Sequence, residues 1–110
     1  MAIVLCATSE ITDPGSKSFQ LNDKGNSLDI FVVHKDACFH AFINRCPHTG
    51  VNLEWQEDRF LDIDHAFIQC ATHDALFEIE NGRCIHGPCV GESLSVIVIE
   101  VVDNMLVAQI

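Results

Sequence analysis

Turn-forming residues punctuate this chain at intervals too short for helices, and that spacing limits its fold more than any other feature. Residues 28–33 (LDIFVV) and 39–43 (FHAFI) flank a stretch from His34 to Cys38 that reads as a hairpin turning at Lys35-Asp36. Residues 60–63 (FLDI) and 67–70 (FIQC) flank Asp64-His65-Ala66, a second hairpin. Residues 75–79 run into Asn81-Gly82, the strongest short hairpin signal there is. Residues 94–100 and 105–110 close around Asp103-Asn104. Residues 13–18 (DPGSKS) read as a loop, and a single helical turn is placed near residues 51–55. No long window has a 3.6-residue period. The expected architecture is all-β and antiparallel, closed into a barrel or sandwich that hides its strand edges. It is one domain, 1–110, without repeats or linkers.

Composition narrows the function. At 48% apolar residues the chain has material for a core, so disorder is not expected. The 16 Asp and Glu against 6 Lys and Arg give a formal charge of −10, which phosphate backbones would repel. Nucleic acid is therefore a poor partner, whereas a basic protein surface is a good one. The first residues lack the basic start of a signal peptide, and Glu100, Asp103 and Asn104 break the longest apolar region, so no membrane span is expected. A cytoplasmic location follows as the expectation, and thiols stay reduced there. A domain of this size needs no disulfide scaffold, so its 6 cysteines call for chemistry or packing.

Four of the chemistry-bearing residues fall into two short loops. Cys46-Pro47-His48-Thr49-Gly50 has Cys and His at C-x-H spacing, and Cys70-Ala71-Thr72-His73 has them at C-x-x-H. A hairpin can return the chain over the interval between them, bringing both loops to one end of a β domain. Cys46, His48, Cys70 and His73 then make a metal site. Zinc accepts two Cys and two His in a tetrahedron. Zinc motifs, however, usually put both Cys in one knuckle and both His in the other. Mixed loops make better sense if two metals sit between them, one taking both thiolates and the other both imidazoles.

With these motifs the sequence resembles the Rieske-type [2Fe–2S] ferredoxins, whose cluster has His₂ in place of Cys₂ on one iron. Gly82-Arg83-Cys84-Ile85-His86-Gly87-Pro88-Cys89 resembles the family's glycine–proline loop that covers the cluster, and the similarity runs from about Leu28 to the C-terminus. The resemblance implies antiparallel sheets with a small cluster-binding lobe, about residues 44–76 plus a cover loop at 82–91. It also implies Cys46 and Cys70 on the inner iron and His48 and His73 on the outer one, near the surface. The implied role is a soluble, monomeric one-electron carrier, passing electrons from a flavin-dependent ferredoxin reductase to a terminal oxygenase of aromatic or related substrates. Such a chain is not itself an enzyme. The chain is too short for the oxygenase's mononuclear-iron domain, and the similar small subunit of assimilatory nitrite reductase usually lacks the four ligands.

Departures from the family point to a low potential. High-potential respiratory members carry a second Cys in each ligand loop, joined as a disulfide; Val51 and Thr72 stand at those positions here. Those members also place a Ser and a Tyr after the second loop, where this chain has Ala75 and Phe77. Fewer donors to the cluster sulfurs stabilise the reduced state less. Two rival readings use the same four residues: a structural zinc module that mediates protein contacts, and an iron–sulfur redox sensor.

The remaining residues have plainer expectations. Cys6 and Cys38 read as buried small hydrophobes. Cys84 and Cys89 flank the cover loop as inert thiols rather than as a disulfide, with a lesser role in tuning the cluster. His34 and His65 read as solvated turn residues, and His40 stands outside any ligand context. His86 is a surface group that can approach the cluster. Trp55, among Glu54, Glu57, Asp58 and Arg59, reads as packing on the base of the lobe, with a docking anchor as the alternative.

Overall fold

The computed structural model describes residues 2–23, 25–45, 47, 53, 58–70, 75–87 and 90–109, without the side chains of Asp23 and Asn26. Among them, the strands are β1 (Ala2–Ala7), β2 (Gly15–Asp23), β3 (Asn26–Lys35), β4 (Cys38–Ile43), β5 (Ile68–Gln69), β6 (Leu76–Phe77), β7 (Cys84–His86), β8 (Val96–Val102) and β9 (Met105–Gln109). Six of them form an antiparallel sheet in the order β1-β9-β8-β4-β3-β2, and the other three form a small sheet, β5-β6-β7. The chain is all-β as expected.

Strand β3 is the axis of this arrangement. Ile30, Phe31, Val32 and Val33 are all fully buried, which only a strand covered on both faces can achieve. Phe31 and Val33 turn to one core, together with Phe42 of β4 and with Phe60, Ile68, Phe77, Cys84 and Leu94. Val32 turns to a second core with Ala41 and Leu106. Leu5 and Cys6 of β1 and Phe19 of β2 join that second core, although β1 and β2 lie at opposite ends of the strand order. Side chains from both edges meet only if the sheet curls, and it forms a nearly closed, barrel-like wall.

The turn chemistry acts at or within one residue of where it is expected, the first turn falling at Asp36-Ala37 rather than at Lys35-Asp36. Asp36 and Ala37 (φ 52° and 64°) close β3 onto β4, and Asp103 and Asn104 (φ 50° and 63°) close β8 onto β9, both with the left-handed backbone that tight hairpins need. Asn81-Gly82 turns β6 toward β7, with Gly82 at φ 74°. The run 60–63 does not become a strand. It contributes one bridge, Leu61 to Ile68, because the Asp62 carboxylate accepts the N–H groups of Ala66 and Phe67 and curls the chain there. The helical turn expected near residues 51–55 lies outside the described residues apart from Leu53, which is buried.

The loop assigned to residues 13–18 is corrected: Gly15 to Ser18 open β2, which pairs with β3 along its whole length. Its polar sequence hid it. Ser16 and Ser18 face a partner 40 or more positions away, where the Ser16 hydroxyl donates to the Asp58 carbonyl (2.7 Å). The Ser18 N–H (2.7 Å) and hydroxyl (2.8 Å) both donate to the Asp58 carboxylate. Asp58 thus occupies donors that an edge strand would otherwise leave open.

The segment leaving Asp58 is also fastened through its next apolar residue. The Phe60 ring lies on Phe31 with centroids 4.3 Å apart and planes 4° from parallel. Phe31→Ala removes that stack and the Phe42 contact together. It is expected to cost about 3–5 kcal/mol of stability, read by denaturant unfolding. A loss below about 1 kcal/mol would mean the stack is not central to the core.

Candidate metal centre

Of the four expected ligands, Cys46, His48 and His73 lie outside the described residues. Cys70 is described: it follows β5, is fully buried, and sits in the aromatic core built on Phe31. The frame from which the loops rise converges.

Each loop is closed at its foot. In the first, Asn44 directly follows β4 and its N–H donates to the Asp29 carbonyl (2.8 Å). Its side-chain Oδ1 accepts the N–H of Leu53 at 2.9 Å. The interval from 44 to 53 contains Cys46 and His48. In the second, the Cys70 N–H donates to the Ala75 carbonyl (2.8 Å), across an interval that contains His73. A third loop leaves β7 and returns at Glu92, whose carbonyl accepts the Cys84 N–H (2.9 Å). Leu53, Cys70, Ala75 and Cys84, which stand at the feet of these loops, all belong to one core cluster.

The third loop also touches the second. Gly87 has φ 102°, and a Cβ built there would stand 2.9 Å from the Ala75 Cα and 3.0 Å from its Cβ. Only a glycine lets the backbones approach so closely. The Cys84 thiol donates to the His86 carbonyl (3.3 Å) just before that contact. A buried thiol at a loop foot, two closed loops and a third laid against one of them suit a soft-metal or iron–sulfur group, for which thiolates and imidazoles are proper ligands.

Among the other residues, His86 and His65 are exposed as expected. His34 is not a solvated turn residue. It lies in β3, half-buried, with its ring stacked 3.9 Å from that of Phe39 and Nδ1 2.9 Å from the Ile11 carbonyl. Cys6 is buried as expected, and burial pushes its thiol pKa up, so it stays protonated. Cys38 is exposed, contrary to expectation, because it opens β4 beside the Asp36–Ala37 turn. Cys84 carries no disulfide; Cys89, Trp55, Glu54 and Glu57 lie outside the described residues. A groove of about 580 Å³ opens between Thr12, Ser16, Asp58, Arg59, Ile63 and His65. Neither Cys70 nor Ala75 lines it, so it is not the candidate centre.

Comparison with known proteins agrees with this frame. The model of the Rieske [2Fe-2S] domain matches residues 1–105, and the chain belongs to that family, whose cofactor is a [2Fe–2S] cluster. The likeness therefore reaches the N-terminus rather than starting near Leu28. Among solved structures, the ferredoxin of carbazole 1,9a-dioxygenase from Nocardioides aromaticivorans IC177 is similar, with TM-score 0.76 and 16% identity. That match covers 99% of this chain and 97% of that one. A chain in a complex of reduced oxygenase and oxidized ferredoxin of carbazole 1,9a-dioxygenase matches with TM-score 0.76 and 20% identity, over 98% and 92% of the two chains. The terminal oxygenase of carbazole 1,9a-dioxygenase from Novosphingobium sp. KA1 matches with TM-score 0.80 and 19% identity, over 99% of this chain and 29% of that one. No curated protein sequence matches at a significant level.

Two glycine substitutions separate backbone strain from contact. Gly25 (φ 84°) has nothing near its missing Cβ, whereas Gly87 has Ala75. Gly25→Ala is expected to cost roughly 1–3 kcal/mol from strain alone. Gly87→Ala is expected to cost more in the same unfolding assay and to speed cluster release to a chelator. Equal costs and an unchanged release rate would show that the loop contact is unimportant.

Proposed function

We propose that this chain is a one-electron carrier, not itself an enzyme. It takes electrons from a flavin-dependent ferredoxin reductase and delivers them to a terminal oxygenase of aromatic or related substrates. In this reading Cys46 and Cys70 hold one iron of the cluster and His48 and His73 the other. The lobe comprises residues 44–76 with the cover loop 82–91. The observation that carries the reading is likeness along the whole chain to a ferredoxin: residues 1–105 match the Rieske [2Fe-2S] domain, and 99% of the chain matches the Nocardioides ferredoxin with TM-score 0.76. The cluster supplies a reversible one-electron couple, and the chain's residues set its surroundings.

Those surroundings favour a low potential. Ala75 and Phe77 are fully buried beside Cys70, and neither side chain carries a hydrogen-bond donor. Donors to cluster sulfurs stabilise the added electron, so their lack at these positions leaves the oxidised state favoured. The exposed surface nearby suits a transient partner. Ile85 and Val90, on either side of the third loop, are 42% and 61% exposed, and His86 lies between them in sequence, also exposed. Small apolar contacts on a chain of formal charge −10 give recognition without a long-lived complex.

Absorption and electron paramagnetic resonance before and after dithionite test the assignment. The expected result is a visible band that bleaches on reduction and a reduced signal with an average g value below that of all-Cys clusters. The midpoint potential is expected near the low end of the Rieske range, roughly −150 mV. A colourless protein containing zinc would move the four residues to a structural role. A potential in the respiratory range would refute the low-potential reading.

A further inference from the structure

We infer that Asn44 is the positioning residue for the first ligand loop, closing the interval that contains Cys46 and His48 through a side-chain lock. The inference rests on the proposed ligand set and goes beyond it, because Asn44 is not a ligand. Three observations meet at this residue. Asn44 is 3% exposed and is the buried polar side chain among the described residues. The alternation of β4 puts Phe42 in the aromatic core, and the residue two further on would ordinarily be apolar too. A polar group at such a position is retained only where it is fully engaged.

Its engagement spans the loop. The backbone N–H of Asn44 extends the β3–β4 ladder to Asp29, which fixes where the residue stands. Its Oδ1 then accepts the N–H of Leu53, a residue that is itself fully buried in the aromatic core. Loss of that acceptor would leave a buried N–H to find another partner. One end of the loop is thereby tied to the central sheet and the other to the same core, through a single amide.

The second loop makes the contrast. Its described closure is a backbone bond, from the Cys70 N–H to the Ala75 carbonyl, and no side-chain substitution can remove that bond directly. The first loop spans 44 to 53 and the second 70 to 75. The longer loop is harder to order, since closure entropy grows with length, and it is the one given a side-chain lock. Groups that orient metal ligands without touching the metal typically matter by tenfold or more in metal retention.

The test uses the full chain carrying its cluster. Cluster loss to a chelator is timed by the decay of the visible band. The line shape of the reduced resonance signal is recorded, and far-ultraviolet circular dichroism monitors the fold. Asn44→Ala is expected to release the cluster about tenfold faster and to broaden the signal, with the dichroism unchanged. Asn44→Leu fills a similar volume without an acceptor and is expected to release the cluster about as fast as the Ala variant, because the lock and not the packing is lost. An Ala variant within twofold of the wild type and with the same line shape would overturn the inference. So would a Leu variant that holds the cluster as the wild type does, since packing alone would then suffice. Should the Ala variant fail to fold, the Leu variant decides alone: a tenfold faster loss supports the lock and near-wild-type retention overturns it. A wild-type protein that holds no cluster would instead overturn the ligand assignment on which the lock depends.

Discussion

Burial of one strand on both faces holds this molecule together. β3 carries Phe31 and Val33 into the aromatic core and Val32 into the barrel interior, so neither core forms without it. The small sheet has short strands and could not stand alone; isolated pairs of this length are marginal in water. It gains stability by laying Ile68, Phe77 and Cys84 on the face that β3 and β4 present. The segment that enters it is fastened by the Phe31–Phe60 stack and by Asp58 on β2. The position of Cys70 is therefore inherited from the six-stranded sheet rather than made locally.

The three loops are tethered by different means. The second is held by a backbone bond and the first by an amide side chain. The third is held by a backbone bond at its foot and by the close approach of Gly87 to Ala75. Among the described residues, the third is the one that depends on lack of a side chain. A chain that must place soft ligands to within fractions of an ångström gains from such redundancy, because no one fluctuation releases all three loops.

Much of this was legible in the sequence, and the parts that were not have a common cause. Turns with left-handed residues declare themselves locally, so Asp103-Asn104 and Asn81-Gly82 were read correctly from neighbours alone. β2 was missed because its polar residues answer to Asp58, far along the chain. His34 was misplaced because its ring is held by tertiary contacts, the Ile11 carbonyl and the stack on Phe39 of β4. The ligand motifs stood out because metal chemistry demands rare residues at fixed spacing. Asn44 did not, although it begins the same motif. Its signal was a polar residue continuing the inward row of β4, visible only once that row is known to face the aromatic core. Gly87 was flagged through the family loop, yet its reason, contact with Ala75, is three-dimensional.

Charge and packing divide the labour of partner choice in a carrier of the kind proposed. A formal −10 acts over about a Debye length, roughly 8 Å at physiological salt, and raises the rate of encounter with a basic surface. It does little to hold the complex once formed, since exposed ion pairs contribute on the order of 0–1 kcal/mol each. Holding falls to apolar contact, and the described apolar groups beside the third loop are few: Ile85 and Val90. That balance suits a protein that must leave after each electron. A larger apolar rim would slow release and so limit turnover, while a weaker field would slow arrival. Acidity, which by itself identifies nothing, becomes informative when joined to a cluster-binding frame beside which the described exposed apolar groups are few.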